Sequence, residues 1–290
     1  MALPAEVNQR SRMPRRIVPA LLAALALVAI AWASVPQARA ATATECAGVG
    51  ICYCINADFR DAIAAKVEYF RKAIAAERAK GKAIGYMSVP LSTTGGSYFN
   101  VNREVAEKVK ERVEARYGAS AVWLLNPAAR EADLPAQGGV RAGQGDYLLM
   151  WTRILEGAKA LGEDFDFVYF VGPSDFAAYF GLTGKDDMDR ITAYFDERVA
   201  RDEDLKRAVD RGTVTRTAFR NYYALRASVA FSVGAHDEWN VIRAVNQRRR
   251  DDKAFGVTNQ LSVMFDGRAL STGEYDQPAA VGNAGACKAN

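Results

Sequence analysis

From residue 58 onward, two hydrophobic patterns alternate along this chain: apolar residues at helical spacing, then short continuous apolar runs. The stretch DFRDAIAAKVEYFRKAIAAERAKGK (58–82) is of the first kind and predicts a helix, with Asp58 as its N-cap and Gly81 as its stop. AIGYMSVP (83–90) is of the second kind and predicts a buried strand closed by proline. The alternation continues with a helix over 99–118, a strand in AVWLLNP (121–127), a helix over 146–162 and a strand in FDFVYFVGP (165–173). Continuous apolar strands between amphipathic helices belong to a parallel sheet covered on both faces. Ligands of such sheets bind beyond the carboxyl ends of the strands. That places Ser88–Gly96, Asn126–Gly145 and the residues after Gly172 where a site would form.

The pattern breaks over 174–227, which holds helical periodicity and no strand, and reads as a helical insertion of a length that suits a lid. It resumes with a strand in SVAFSVG (228–234), a helix from His236, and a final strand or hairpin within 253–267. The α/β domain thus spans 58–270, after a cysteine-containing segment (41–57) and before a Gly- and Ala-rich irregular tail (271–290).

The first forty residues stand apart. Arg15-Arg16, an apolar run from Ile17 to Ala33, and small residues at Ala38 and Ala40 make a secretory signal peptide cleaved near Ala40; an uncleaved anchor is the rival reading. Removing residues 1–40 takes five arginines and one glutamate from totals of 38 basic and 34 acidic residues, leaving 33 of each. A mature chain without net charge argues against a nucleic-acid partner, which needs a basic footprint. The run Arg248–Arg250 is answered at once by Asp251-Asp252 and reads as a solvated helix end. After cleavage no membrane partner is expected. All four cysteines, Cys46, Cys52, Cys54 and Cys287, lie in the mature chain, and export makes two disulfides the expectation. A Cys52–Cys54 bridge would be cramped, so Cys287 is expected to join one of the N-terminal three; the spacing does not suit a zinc site.

Candidate chemistry concentrates at His236-Asp237-Glu238, directly after Gly234-Ala235. Glycine permits a tight turn there, and a carboxylate in the first turn of the following helix is either a cap or an anion held ready by the helix dipole. H-x-E without P-C-x-x-C is no zinc-deaminase signature, and no G-x-S-x-G, G-x-G-x-x-G or Walker-type motif occurs. Asp186, Asp187 and Asp189 lack the rest of a calcium loop.

The order of three short motifs, IGYMSVPLS (84–92), LLNPA (124–128) and SVGAHDEWNVIRA (232–244), resembles the nucleoside 2-deoxyribosyltransferase-like superfamily across about half of the mature chain. The resemblance implies a Rossmann-like or flavodoxin-like α/β fold in which Glu238 attacks the anomeric carbon of an N-glycoside and Tyr86 positions it. It further implies that Ser88, Ser92, Gly95 and Gly96 face the sugar or a phosphate, with Asn126 at the neighbouring strand end. Arg153, Ser232, Gly234, His236 and Asp237 complete the implied binding set. Ser232 stands where the family's enzymes carry an aspartate, and the insertion has no counterpart in their compact forms. The expected function is therefore an exported N-glycoside hydrolase or glycosyltransferase acting on a nucleoside or nucleotide-like ligand, with no cofactor or metal and with room for a homo-oligomer. A non-catalytic exported ligand- or protein-binding protein on the same fold is the alternative.

Overall fold

The computed structural model describes residues 41–91, 94–252 and 259–288. The expected signal peptide and Ser92 lie outside these residues. The first element is a hairpin, β1 (Thr42–Cys46) and β2 (Cys52–Asn56), in the segment for which the sequence suggested only cysteines. Cys46 pairs with Cys52 across it in a disulfide. Cys287 is bonded to Cys54, so the tail is tied to the N-terminal segment as expected. Two disulfides suit an oxidising compartment. Among the described residues, no helix is long and apolar enough to cross a membrane.

Helix α1 (Arg60–Ala79) leads into β3 (Ala83–Ser88), α2 (Phe99–Tyr117) into β4 (Val122–Leu125), and α3 (Gln144–Glu156) into β5 (Phe167–Phe170). Asn56, not Asp58, caps the turn before α1: its side chain accepts from the Asp58 amide. The insertion forms α4 (Pro173–Phe180), α5 (Asp187–Arg201), α6 (Glu203–Asp210) and α7 (Arg216–Leu225). Then follow α8 (Val233–Asp251), β6 (Ser262–Phe265), β7 (Arg268–Ala269) and the single turn α9 (Thr272–Tyr275), which interrupts the expected irregular tail. The sheet order is β4-β3-β5-β6-β7. The first four strands are parallel and β7 returns antiparallel on β6, so the sheet is mixed rather than wholly parallel.

Side chains alternate across the central strands. Tyr86 and Ser88 of β3 and Phe170 of β5 face α3 and α8, where Tyr86 meets Trp151 and Phe170 meets Trp239. Tyr169 points the other way, donating its hydroxyl to Asp175 of α4, which is paired with Arg112 of α2. Helices therefore cover both faces. The insertion packs through a knot of aromatics, Tyr179, Phe180, Tyr194, Phe219 and Tyr223, and reaches α2 where Tyr223 donates to Asn102 at 2.7 Å.

The expected strand at 228–234 does not form. Val229–Phe231 is a 3-10 turn, and α8 already begins at Val233. The Ser228 and Ser232 hydroxyls accept from the amides of Ala230 and Ala235, so local bonds take the backbone groups a sheet would need. β5 is moreover already paired with β6, which leaves no slot beside it.

The two disulfides close chains of very different length: the separations are 6 residues for Cys46–Cys52 and 233 for Cys54–Cys287. Loop-closure entropy then assigns about 2 kcal/mol to the first and about 5 kcal/mol to the second. In guanidinium unfolding, the Cys54→Ala/Cys287→Ala double variant is expected to lose at least twice the stability lost by Cys46→Ala/Cys52→Ala; equal losses would show that the tail bond does not constrain the unfolded chain.

Candidate functional site

Glu238 is the sixth residue of α8, one turn later than the sequence suggested, because Ser232 rather than a residue at the Gly-Ala step caps the helix. Residues 237 and 238 sit ~100° apart around the helix, so the two adjacent carboxylates face different partners. Glu238 faces β3. Tyr86 donates its hydroxyl to Oε1 at 2.5 Å and Ser88 donates to Oε2 at 2.5 Å. The pleat puts 86 and 88 on the same side of the strand, and register holds Tyr86 between Leu125 and Val168. Both hydroxyls are buried, and Glu238 keeps 8% of its surface exposed, at the base of a pocket of ≈ 510 Å³.

Burial pushes the Glu238 carboxyl up to about 7, and the charge of Asp237 adds to the rise, while the Ser88 and Tyr86 hydrogen bonds pull the other way. The expectation of a carboxylate held anionic by the helix start therefore fails. The dipole acts within the first turn, and Glu238 lies beyond it. Tyr86 is raised well above its ordinary value, by burial first and then by the negative charge of Glu238. Behind it, the Tyr53 hydroxyl, also raised by burial, bonds Thr152 at 2.9 Å.

Asp237 serves the tail. Its two oxygens accept from the amides of Gly282 (2.9 Å) and Asn283 (2.6 Å). Gly282 is required: a Cβ there would lie 2.2 Å from the carbonyl oxygen of Val233. Trp239 donates to the Gln277 carbonyl and Asn240 exchanges two bonds with Ala279. In Asp237–Asn240, then, three residues hold the tail and one faces the pocket.

The pocket walls come from the ends of β3 and β4 and from α3 and α8. Val89, Leu91 and Phe99 follow β3; Tyr147, Leu148 and Trp151 present one face of α3; Ser232 and Gly234 open α8. Asp133, Gln144 and Asn283 supply the other polar groups at its edge. No residue of the insertion is among the described lining residues.

Several expected binding residues lie elsewhere. Gly95 and Gly96 pack against α7, where φ at Gly96 is +105° and a Cβ would lie 2.3 Å from the Ala218 backbone, so no side chain fits. Asn126 shapes its own turn, accepting from Ala128 and donating to Glu107. Arg153 is ~200° around α3 from Trp151 and pairs with Glu45 at 2.7 Å on the outside. The ring Nε2 of His236 meets the Ala230 carbonyl oxygen at 2.9 Å. Sequence reasoning missed the aromatic wall and the tail. The spacing of Tyr147, Leu148 and Trp151 signalled a shared helix face, but nothing local to residue 283 signals that Asn283 reaches this pocket.

No protein-family model, curated protein or solved structure matches the chain.

A carboxyl with an ordinary value of 4.5 that rises to about 7 on folding takes up a proton in the folded state between those values, so it lowers stability as pH climbs through the window. The titratable groups that act on it from neighbouring elements are Tyr86 and, behind it, Tyr53, and the charge of Asp237 acts from its own helix; both tyrosines stay protonated throughout. Glu238→Gln keeps the shape and removes the titration. The wild-type stability minus that of the variant is expected to fall by about 3 kcal/mol between pH 4.5 and 8. A flat difference in denaturant melts across that range would mean that Glu238 is not buried as described.

Proposed function

We propose that this chain is an exported N-glycoside hydrolase or glycosyltransferase in which Glu238 is the nucleophile, on a flavodoxin-like variant of the Rossmann-like sheet. The observation that carries the reading is the Glu238 carboxyl at the base of a pocket, with one hydroxyl on each oxygen. The strand order, which reverses direction at β3, supports it, because ligands of such sheets gather at that reversal. So do the three motifs that resemble the nucleoside 2-deoxyribosyltransferase-like superfamily: two of them supply Tyr86, Ser88 and Glu238.

Departure of a base from an anomeric carbon builds oxocarbenium character, and a facing carboxylate stabilises it or bonds to it. Each Glu238 oxygen accepts one hydrogen bond and retains a lone pair for the sugar carbon. The two hydroxyls hold the carboxylate plane and withdraw as little charge as neutral donors can. A proton on Glu238 blocks attack, so only the ionised fraction works. The alternative, a binding protein on the same fold, is favoured by one observation: the pocket is mostly apolar, with Glu238 and Asp133 the only carboxyls among its described lining residues.

The test is incubation of residues 41–290, disulfides formed, with nucleosides, nucleotides and NAD, scored for free base by chromatography. Base release is expected, with kcat/KM rising through about pH 7 to a plateau as Glu238 ionises. Glu238→Gln should lower it at least ~10³-fold. Tyr86→Phe, which removes one donor to the carboxylate, should cost roughly 10- to 100-fold and move the pH midpoint upward. Undiminished release in Glu238→Gln would remove Glu238 from the mechanism.

A further inference from the structure

Among the described residues, Glu238 is a buried acid with no lysine or arginine paired to it. Its partners are two neutral hydroxyls, and its nearest charged neighbour in sequence, Asp237, is a second buried acid committed to tail amides. Among the described residues lining the pocket there is no lysine, arginine or histidine. Arg103, next to the lining residue Phe99, stands outside the described lining: it donates to the Ala128 carbonyl at 2.7 Å, lies 5.4 Å from the Phe99 ring centroid and approaches Asp133 at 3.6 Å. That ion pair serves Asp133, and among the described residues no lysine or arginine is hydrogen-bonded to Glu238. The same pocket is lined by aromatic side chains suited to a flat, electron-poor group: Trp151, itself packed on Tyr86 and Phe70, and Tyr147.

We infer that the pocket takes an N-glycoside whose aromatic aglycone is positively charged and whose sugar bears no phosphate. The inference rests on the glycosidase reading for its chemistry and on the charge inventory for its selectivity. A cation over an indole face and near a desolvated carboxylate gains from both. A phosphate would meet the Glu238 carboxyl and, at the edge, Asp133, with no cation among the described lining residues.

The chemistry agrees. A neutral base leaves well only when an acid protonates it. Besides Glu238, the one carboxyl among the described lining residues is Asp133, whose side chain is 58% exposed and pairs with Arg103. A pyridinium-type aglycone needs no acid. A Glu238 oxygen bonds to C1′, the C1′–N bond breaks, and its electron pair neutralises the ring nitrogen, so the base departs uncharged. Water or an acceptor hydroxyl then attacks C1′, the ester C–O bond breaks, its pair returns to Glu238, and the attacking oxygen loses its proton to solvent.

The experiment has a binding arm and a turnover arm. At pH 8, calorimetry with 1-methylnicotinamide, a ring-methylated pyridinium cation, and nicotinamide, its neutral counterpart, should show the cation binding at least tenfold more tightly to the wild type. That preference should vanish in Glu238→Gln. Equal affinity, or no binding of the cation at millimolar concentration, overturns the inference whether or not any glycoside is cleaved. In the turnover arm, nicotinamide riboside should be cleaved at least 100-fold more efficiently than inosine or thymidine, and its 5′-phosphate at least tenfold less efficiently than the riboside itself. Faster cleavage of the neutral nucleosides, or of the phosphate, overturns this inference and leaves the glycosidase reading standing. Tighter binding of the cation without cleavage of any glycoside supports the charge selectivity and overturns the glycosidase reading alone.

Discussion

A carboxyl group desolvated against the central strand, with hydroxyls instead of a cation as its partners, is the constraint around which this molecule is arranged. Moving Glu238 from water to the Tyr86–Ser88 face of β3 disfavours its anion, which is why its proton is held to about pH 7. A lysine or arginine at the same place would have stabilised the anion and blunted its reactivity. Hydroxyls do neither to the same degree. They satisfy the carboxylate when it is charged, and either can instead accept from it when it is protonated, so one geometry serves both states.

Holding that acid in place requires α8 to be fixed in rotation and in height, and the tail does much of this. Asp237, Trp239 and Asn240 grip residues 277–283 on the side of α8 turned away from β3. The tail is in turn tied to the hairpin by Gly285 donating to the Cys52 carbonyl and by the Cys54–Cys287 bond. The hairpin docks on α3 through Tyr53 on Thr152 and the Asn56 amide on Asp146. The two helices that flank the pocket are therefore braced from outside by one continuous path, hairpin to tail. Such a path suits an oxidising compartment, where disulfides persist.

Where the physics is local, the sequence exposed it. Parallel strands buried on both faces must be continuous apolar runs, and Ala83–Ser88, Val122–Leu125 and Phe167–Phe170 were legible for that reason. SVAFSVG has the same apolar character and is not a strand, because two serines bind their own backbone and the sheet has no vacancy beside β5. Composition cannot report either fact. The site divides the same way. Glu238 with Tyr86 and Ser88 could be reached from motif order, since strand and helix each carry their part within a few residues. Asp237 read as a ligand group because an exposed acid and an acid that binds a distant loop look alike in sequence; its partners lie 45 and 46 residues downstream. Arg153 failed for a simpler reason: helical phase separates it from Trp151, and phase was readable from the spacing.

The distribution of the insertion bears on how the pocket opens. Its four helices pack toward α2, through Tyr223 on Asn102 and the Tyr98 backbone. The pocket opens among the segments after β3 and β4, the start of α8 and the tail. The tail borders that opening and is pinned to α8 by hydrogen bonds that also orient Glu238. Closure by the tail would disturb the acid it covers. The chain instead keeps the aromatic wall of α3 and the acid of α8 on braced elements. Preorganisation of this kind favours a ligand whose shape and charge already match the cavity, because a rigid site gains little from a ligand that must remodel it.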